Sequence, residues 1–281
     1  MGSEMCIRDS ANALLGLAYW TNGELAAAYN RYADGMASLQ MAGFIADAIG
    51  GAIILADIQI VRGVLRKAMR TYERGLQLAI KQGTPLLRGT ADMYVGMSEL
   101  LSEQNDLSTA MQYLMRSREQ GEHTGFPQHP YRWRVAMARI RAVQGDLDGA
   151  LDLIQEAERR YVSDFSPNIR PIGALRARIW VAQGRLNQAL GWAEEQGLPI
   201  HGEISFLREF EHITLSRILL ARAQHEHIES AMLESTELLK RLLQAAEAGE
   251  RMGSIIEILV LQSLAHQLHG DISAALVSLS R

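Results

Sequence analysis

The chain has 281 residues, a formal charge of -4 and a pI near 6.1, so it carries no overall basic field for nucleic acid or an anionic membrane. Apolar residues make up 48% and aromatics only 6%, which suits helices packed through small side chains better than a thick aromatic core. A single cysteine, Cys6, excludes an internal disulfide framework and fits a reducing compartment, and 25 Arg against 3 Lys reads as compositional bias.

At this length the chain must divide into domains or grow in one direction as a repeat array. Residues 1–10, MGSEMCIRDS, lack the apolar core of a signal peptide and fall outside the pattern that starts near Ala11. The string MCIRDS resembles translated adaptor sequence at the start of unrelated reading frames, so residues 1–10 are set aside as a non-native leader. The first repeat turns at Gly23 and the second at Gly63. Between them the most apolar run, Ala48 to Val61, is too short to span a bilayer and contains Asp57, which predicts a cytoplasmic chain with no membrane partner. Arg62, Arg66, Arg70 and Arg74 then recur every four residues with Lys67 beside them, a predicted basic stripe on the second repeat's second helix. In an acidic chain such a stripe fits a solvated face or a contact with another domain better than nucleic acid.

Further turns follow at Asn105, Gly145, Gly184 and Gly270, with a degenerate one expected near His225 to Ser230. The fourth repeat predicts a first helix over Tyr131 to Gln144 and a second over Leu147 to Tyr161. Gly249-Glu-Arg-Met-Gly253 reads as a junction between helix pairs, and the six prolines, Pro85, Pro127, Pro130, Pro167, Pro171 and Pro199, are expected between repeats. Seven turns about forty residues apart predict seven helical hairpins.

Three columns in register support the period. Two after the turn stand Leu25, Leu65, Leu107, Leu147, Leu186 and Ile272 as an apolar plug. Five after it stand Ala28, Ala68, Ala110, Ala150, Ala189 and Ala275. Seven before it stand the small residues Gly16, Ala56, Ser98, Ala138, Ala177 and Ser263. Small residues on facing positions let two backbones approach, while Gly or Asn between them takes the left-handed conformation that ends a helix.

A small residue, a turn Gly seven later and Ala five after that resembles the tetratricopeptide pattern stretched to about forty residues. HPYRWRVAMARIRAVQGDLDGALDL, YVSDFSPNIRPIGALRARIWVAQGRL, SFLREFEHITLSRILLARAQ and RMGSIIEILVLQSLAHQLHGDISAAL are similar to the MalT-like helical-repeat region of ATP-dependent LuxR-family transcription regulators. The resemblance implies an all-α fold: a right-handed α-solenoid of about seven TPR-like hairpins, one domain over residues 11–281. It also implies an N-terminal nucleotide-binding switch and a C-terminal helix-turn-helix, neither of which this sequence contains. There is no P-loop sequence at Lys67, Lys81 or Lys240, and the sequence reads as a fragment. Its expected partners are the ATPase and DNA-binding domains of its own parent, and another copy through an exposed last hairpin. ATP or ADP is expected only in the nucleotide-binding domain, with no cofactor in this chain.

A solenoid contributes a concave groove lined by the first helix of each hairpin. Six before each turn lie Leu17, Asp57, Glu99, Arg139, Arg178 and Leu264; thirteen before, Asp92 and Arg132 fall on a similar face. The second and third repeats thus offer carboxylates and the fourth and fifth guanidiniums, beside the aromatic faces of Tyr131, Trp133 and Trp180. These nine residues, Leu17 and Leu264 excepted, are the predicted site for a small-molecule or peptide effector held by directed Arg forks. The competing expectation is that Asp57 and Glu99 pair with arginines of neighbouring repeats. His225, His227, His266 and His269 lack the spacing of a metal site, there is no G-x-S-x-G sequence, and the pair Glu194-Glu195 does not argue for catalysis. The sequence therefore predicts no enzyme but a sensing arm, or alternatively a stand-alone TPR scaffold that binds partner peptides.

Overall fold

The computed structural model describes residues 2–81, 87–163 and 166–281, and among them all regular structure is helical. The chain forms two compact units, Met1–Pro167 and Asn168–Arg281. The N-terminal unit holds four hairpins: α1 (Gly2–Thr21) with α2 (Leu25–Met41), α3 (Ile45–Val61) with α4 (Leu65–Lys81), α5 (Thr90–Glu103) with α6 (Leu107–Thr124), and α7 (His129–Val143) with α8 (Leu147–Arg159). The C-terminal unit holds three: α9 (Ile172–Ala182) with α10 (Leu186–Glu195), α11 (Glu209–Glu226) with α12 (Glu229–Ala248), and α13 (Met252–Leu268) with α14 (Ile272–Ser280). A 3-10 turn over Phe206–Arg208 leads into α11, an element the repeat pattern does not announce.

The turns explain the period. Gly23, Gly63, Asn105, Gly145, Gly184 and Gly270 all have positive φ, between 61° and 85°, and the degenerate sixth turn places His227 at φ 56°. At Gly145 the chain reverses so that Gly145 N–H donates to Ala142 O and Asp146 N–H to Arg141 O, closing the last carbonyls of α7. An L side chain at this φ strains against its own carbonyl, which is why glycine dominates the column. The next residue starts the second helix. Asp106, Asp146 and Asp271 each accept a hydrogen bond from the backbone N–H three residues on, a cap worth about 1 kcal/mol.

The small columns sit where the two helices of a hairpin touch. Ala28, Ala68, Ala110, Ala150 and Ala189 are wholly buried, as are Ala56, Ser98 and Ala177. The plug column is less uniform, with Leu25 and Leu186 buried, Leu65, Leu107 and Leu147 half-buried, and Ile272 exposed. Among the prolines, Pro127, Pro167 and Pro199 lie between helices and Pro171 caps α9. Pro130 falls instead within the first turn of α7, where a missing N–H leaves no helix bond broken, and Pro85 lies outside the described residues. The predicted basic stripe also divides, because Arg62 caps α3 whereas Arg66, Arg70 and Arg74 lie on α4.

Successive first helices pack on one another, α3 on α5 and α5 on α7 in one unit, α9 on α11 and α11 on α13 in the other. Ile49, Ile53, Met93 and Leu100 fill the core of the first stack, and Ile213, Ile218, Leu242 and Ile258 that of the second. Each stack therefore presents one face to which three first helices contribute.

Candidate functional site

In the N-terminal unit the face of α3, α5 and α7 carries a network of charges. Asp57 of α3 receives Arg132 of α7, whose Nη2 lies 3.3 Å from both carboxylate oxygens. Tyr72 reaches the same carboxylate from α4, its hydroxyl donating to Asp57 Oδ1 at 3.2 Å. It can do so because Gly96 of α5 has no side chain, since a Cβ there would lie 2.3 Å from the Tyr72 ring and hydroxyl. Two turns along α7, Arg139 donates through Nη1 to Glu99 Oε1 at 3.4 Å and through Nη2 to Glu103. Asp92 is fully buried at the start of α5, where Oδ2 accepts the backbone N–H of Phe126 at 2.9 Å.

Four carboxylates thus surround two guanidiniums. Burial disfavours the charge on Arg132, but Asp57, Tyr72, Asp92 and Glu99 outweigh it and raise its pKa. Arg139 behaves likewise, with burial overcome by Glu99 and Glu103. Burial followed by the charge on Asp57 pushes the Tyr72 hydroxyl well above its ordinary value, so it remains a donor.

In the C-terminal unit the balance reverses. Arg178 of α9 donates through Nε to the Thr214 hydroxyl of α11 at 2.8 Å and through Nη1 to Glu257 Oε1 of α13 at 2.9 Å. Arg217 of α11 donates through Nε to the same oxygen at 2.9 Å. The guanidinium carbon of Arg178 stands 3.7 Å from the ring centroid of Phe210, and that of Arg170 6.0 Å from it. Arg178 Nη2 is buried without a hydrogen-bond acceptor. Burial, then the repulsion of Arg217 and Arg170, brings the Arg178 pKa down to about 10 despite Glu257. Glu257 is the counterpart: burial raises its pKa, but Arg178 and Arg217 prevail and hold it below the ordinary value.

The expected residues therefore divide into those the structure joins and those it places elsewhere. Asp57, Asp92, Glu99, Arg132 and Arg139 share one network, and Arg178 belongs to the second. Trp133 donates its indole N–H to Leu114 O at 2.8 Å and carries Arg118 over its ring, a bolt between α7 and α6. Tyr131 packs on Tyr161 with centroids 5.0 Å apart, and Trp180 packs on the core of its unit with Arg176 over its ring. The competing expectation, that Asp57 and Glu99 pair with arginines of neighbouring repeats, holds for Glu99, which meets Arg139 of the next repeat, whereas Asp57 skips a repeat to reach Arg132.

Tyr72, Glu103, Phe210, Thr214, Arg217 and Glu257 complete the two networks and were not singled out from the sequence. Two of them had a signal, since Thr214 and Glu257 stand thirteen before His227 and Gly270, the column that gave Asp92 and Arg132. Glu103, four after Glu99, follows from helical spacing. A separate pocket of about 400 Å³ opens beside α4, with Arg66, Arg70 and Glu73 at its edge and Met69, Met97 and Tyr113 among its lining. Among the described residues no group of three His, Cys, Asp or Glu could hold a metal ion, and no helix is long and apolar enough to cross a membrane.

Paired helices of this length, left-handed turns at a fixed interval and small residues at each crossing define a helical repeat of the tetratricopeptide class. Within that class the chain belongs to the family of the MalT-like TPR region, which matches residues 2–281. Among solved structures it is similar to the Rap conjugation gene regulator of the plasmid pLS20 in complex with a Phr peptide. That alignment has TM-score 0.69 and 13% identity over 99% of this chain and 76% of that one. The TPR2AB domain of yeast Sti1 in its pHSP90 complex aligns at TM-score 0.36 and 13% identity, over 95% of this chain and 100% of that one. At these identities the likeness concerns fold alone. No curated protein matches the sequence.

Proposed function

We propose that this chain is the effector-sensing and interdomain arm of an ATP-dependent LuxR-family transcription regulator, and that its first-helix faces receive a peptide signal. The carrying observation is that each face is closed by half-buried ion pairs linking non-adjacent hairpins, Asp57 with Arg132 and Arg178 with Glu257. A ligand that takes the place of one partner changes what holds three hairpins in register. Such a ligand shifts a conformational equilibrium only if it binds the two states unequally, which exchange of an ion-pair partner provides. A peptide, with charged groups at fixed intervals, suits that exchange, and the fold is shared with a regulator solved with its peptide.

In this reading the chain catalyses no reaction and holds no nucleotide. ATP belongs to a nucleotide-binding domain of the parent protein, DNA to its helix-turn-helix, and the site of action is the cytoplasm. Selection of a random peptide library on the intact chain, followed by calorimetry of the enriched peptides, tests the binding. Enriched peptides are expected to lose affinity in Arg139→Ala or Arg178→Ala, and unchanged affinity in both would remove the faces from the mechanism. Reading the gene on both sides separates the regulator from a stand-alone scaffold: a Walker sequence upstream and a helix-turn-helix downstream are expected, and stop codons bounding the repeat array would favour the scaffold.

A further inference from the structure

We propose that the first-helix face of the C-terminal unit is a carboxylate subsite, in which Arg178 and Arg217, backed by Arg170 and Phe210, take an acidic side chain or C-terminal carboxylate of the peptide. The inference rests on the peptide reading above and adds the charge that the peptide must bring.

Positive and negative groups are unequally supplied at this face. Glu257 is the carboxylate shared by Arg178 and Arg217, and both arginines bond to its Oε1. Thr214 occupies Arg178 Nε but, being a neutral hydroxyl that donates in turn to Phe210 O, brings no charge. Arg178 Nη2 finds no acceptor at all. Phe210 covers one face of the guanidinium, which removes water there and strengthens any anion that arrives at its edge. Solvent nonetheless reaches the cluster, with side-chain exposure of 20% for Arg178, 37% for Arg217 and 23% for Glu257. A guanidinium that is buried, stacked and under-neutralised gains more from a second carboxylate than one already paired. The first-helix face of the N-terminal unit, around Arg132 and Arg139, supplies the contrast: there carboxylates exceed guanidiniums and raise the pKa of both arginines, whereas Arg178 is brought down to about 10.

Nitrogen-15 spectra of the arginine side chains, recorded on the intact chain, test the subsite directly. Titration with N-acetylglutamate amide at constant ionic strength is expected to shift the Nε–H resonances of Arg178 and Arg217, while N-acetylglutamine amide leaves them in place. Absence of that shift overturns the proposal, and an equal response to sulfate overturns the assignment to carboxylate. The peptides enriched by library selection form the second arm. They are expected to be acidic, to lose at least tenfold in affinity in Arg217→Gln, and to bind several-fold more tightly to Glu257→Gln, which removes the internal competitor. A merely structural role for Glu257 predicts loss, not gain. Enriched peptides that lack acidic residues and ignore both variants would overturn the subsite while leaving peptide binding intact; no enriched peptide at all would remove the peptide reading, and the amide titration would still decide the subsite.

Discussion

The first-helix faces of the two units are built alike and charged oppositely. Each draws on three successive first helices and uses the positions six and thirteen before the turn, yet one places Asp57, Asp92, Glu99 and Glu103 about Arg132 and Arg139, and the other places Arg170, Arg178 and Arg217 about Glu257. The columns carry Asp57, Asp92, Glu99, Arg132, Arg139, Arg178 and Glu257, whereas Glu103, Arg170 and Arg217 lie off them, so the repeat fixes neither every charge nor its sign. Within one face, sign decides whether an arginine is an anchor or an acceptor of further anions: Arg132 and Arg139 hold their charge more firmly than a free guanidinium, and Arg178 less.

Acid gives the largest expected separation between the units. His129 is buried on α7, and Ser117 donates to Ala91 O, so the imidazole must donate through Nε2 to Ser117 Oγ, leaving Nδ1 bare. Burial first, then Arg132 and Arg134, lower its pKa from 6.5 to about 4. The unfolded chain binds a proton near 6.5 that the folded chain refuses until about 4, so the stabilisation is complete above pH 6.5 and disappears as pH falls across that window. The full shift corresponds to about 3 kcal/mol. In the C-terminal unit the lowered pKa of Glu257 works in a later window, since its contribution is present above the ordinary carboxylate value of 4.5 and is lost only as pH falls further. Urea unfolding at pH 7, 5.5 and 4.5, followed through Trp20 and Trp133 or through Trp180 and Trp192 in variants that keep one pair, should show the N-terminal unit weakening first. His129→Gln should flatten its slope; equal slopes in both units would break the comparison.

Next in size is Asp57→Asn, which deprives Arg132 of its carboxylate while leaving Tyr72 an amide oxygen to donate to. With side-chain exposures of 17% for Arg132 and 21% for Asp57 the loss should be about 2 kcal/mol, below that of a wholly buried pair. Glu257→Gln should cost about 1 kcal/mol, because Arg178 and Arg217 then face each other unscreened, and added salt should recover part of it. A salt-insensitive loss there would mean that packing, not charge, holds the face.

How much of this was readable from the sequence depends on whether one residue or a partnership was at stake. The turn residues were readable because a left-handed φ leaves so few choices, and even the degenerate turn fell where expected, at His227. The columns named Asp57, Glu99, Arg132, Arg139 and Arg178 as neighbours on a face, since period and face are local properties of a helix. They did not say which would pair, because Asp57 skips a hairpin to reach Arg132. Tyr72 was beyond reach, for it comes from a second helix through space that only Gly96 leaves open. The partner of Trp133 was beyond reach as well, since its indole N–H is spent on Leu114 O of another helix.

The smallest effect is the most discriminating, because its sign differs between the units. Arg139→Met leaves Glu99 and Glu103, one turn apart on α5, without the cation that separates them, and should cost about 1 kcal/mol. Arg217→Met gives up one bond to Glu257 from a side chain that is 37% exposed, a loss of at most a few tenths of a kcal/mol. In exchange it removes the repulsion that Arg217 imposes on Arg178 and leaves Glu257 wholly to that partner, so the urea midpoint should stay level or rise. The two substitutions remove the same side chain from the same kind of face, which cancels their shared loss of packing. If both midpoints fell equally, the excess of positive charge in the C-terminal unit would have no energetic meaning; a fall in one and not in the other would show that each face is governed by the sign it carries in excess.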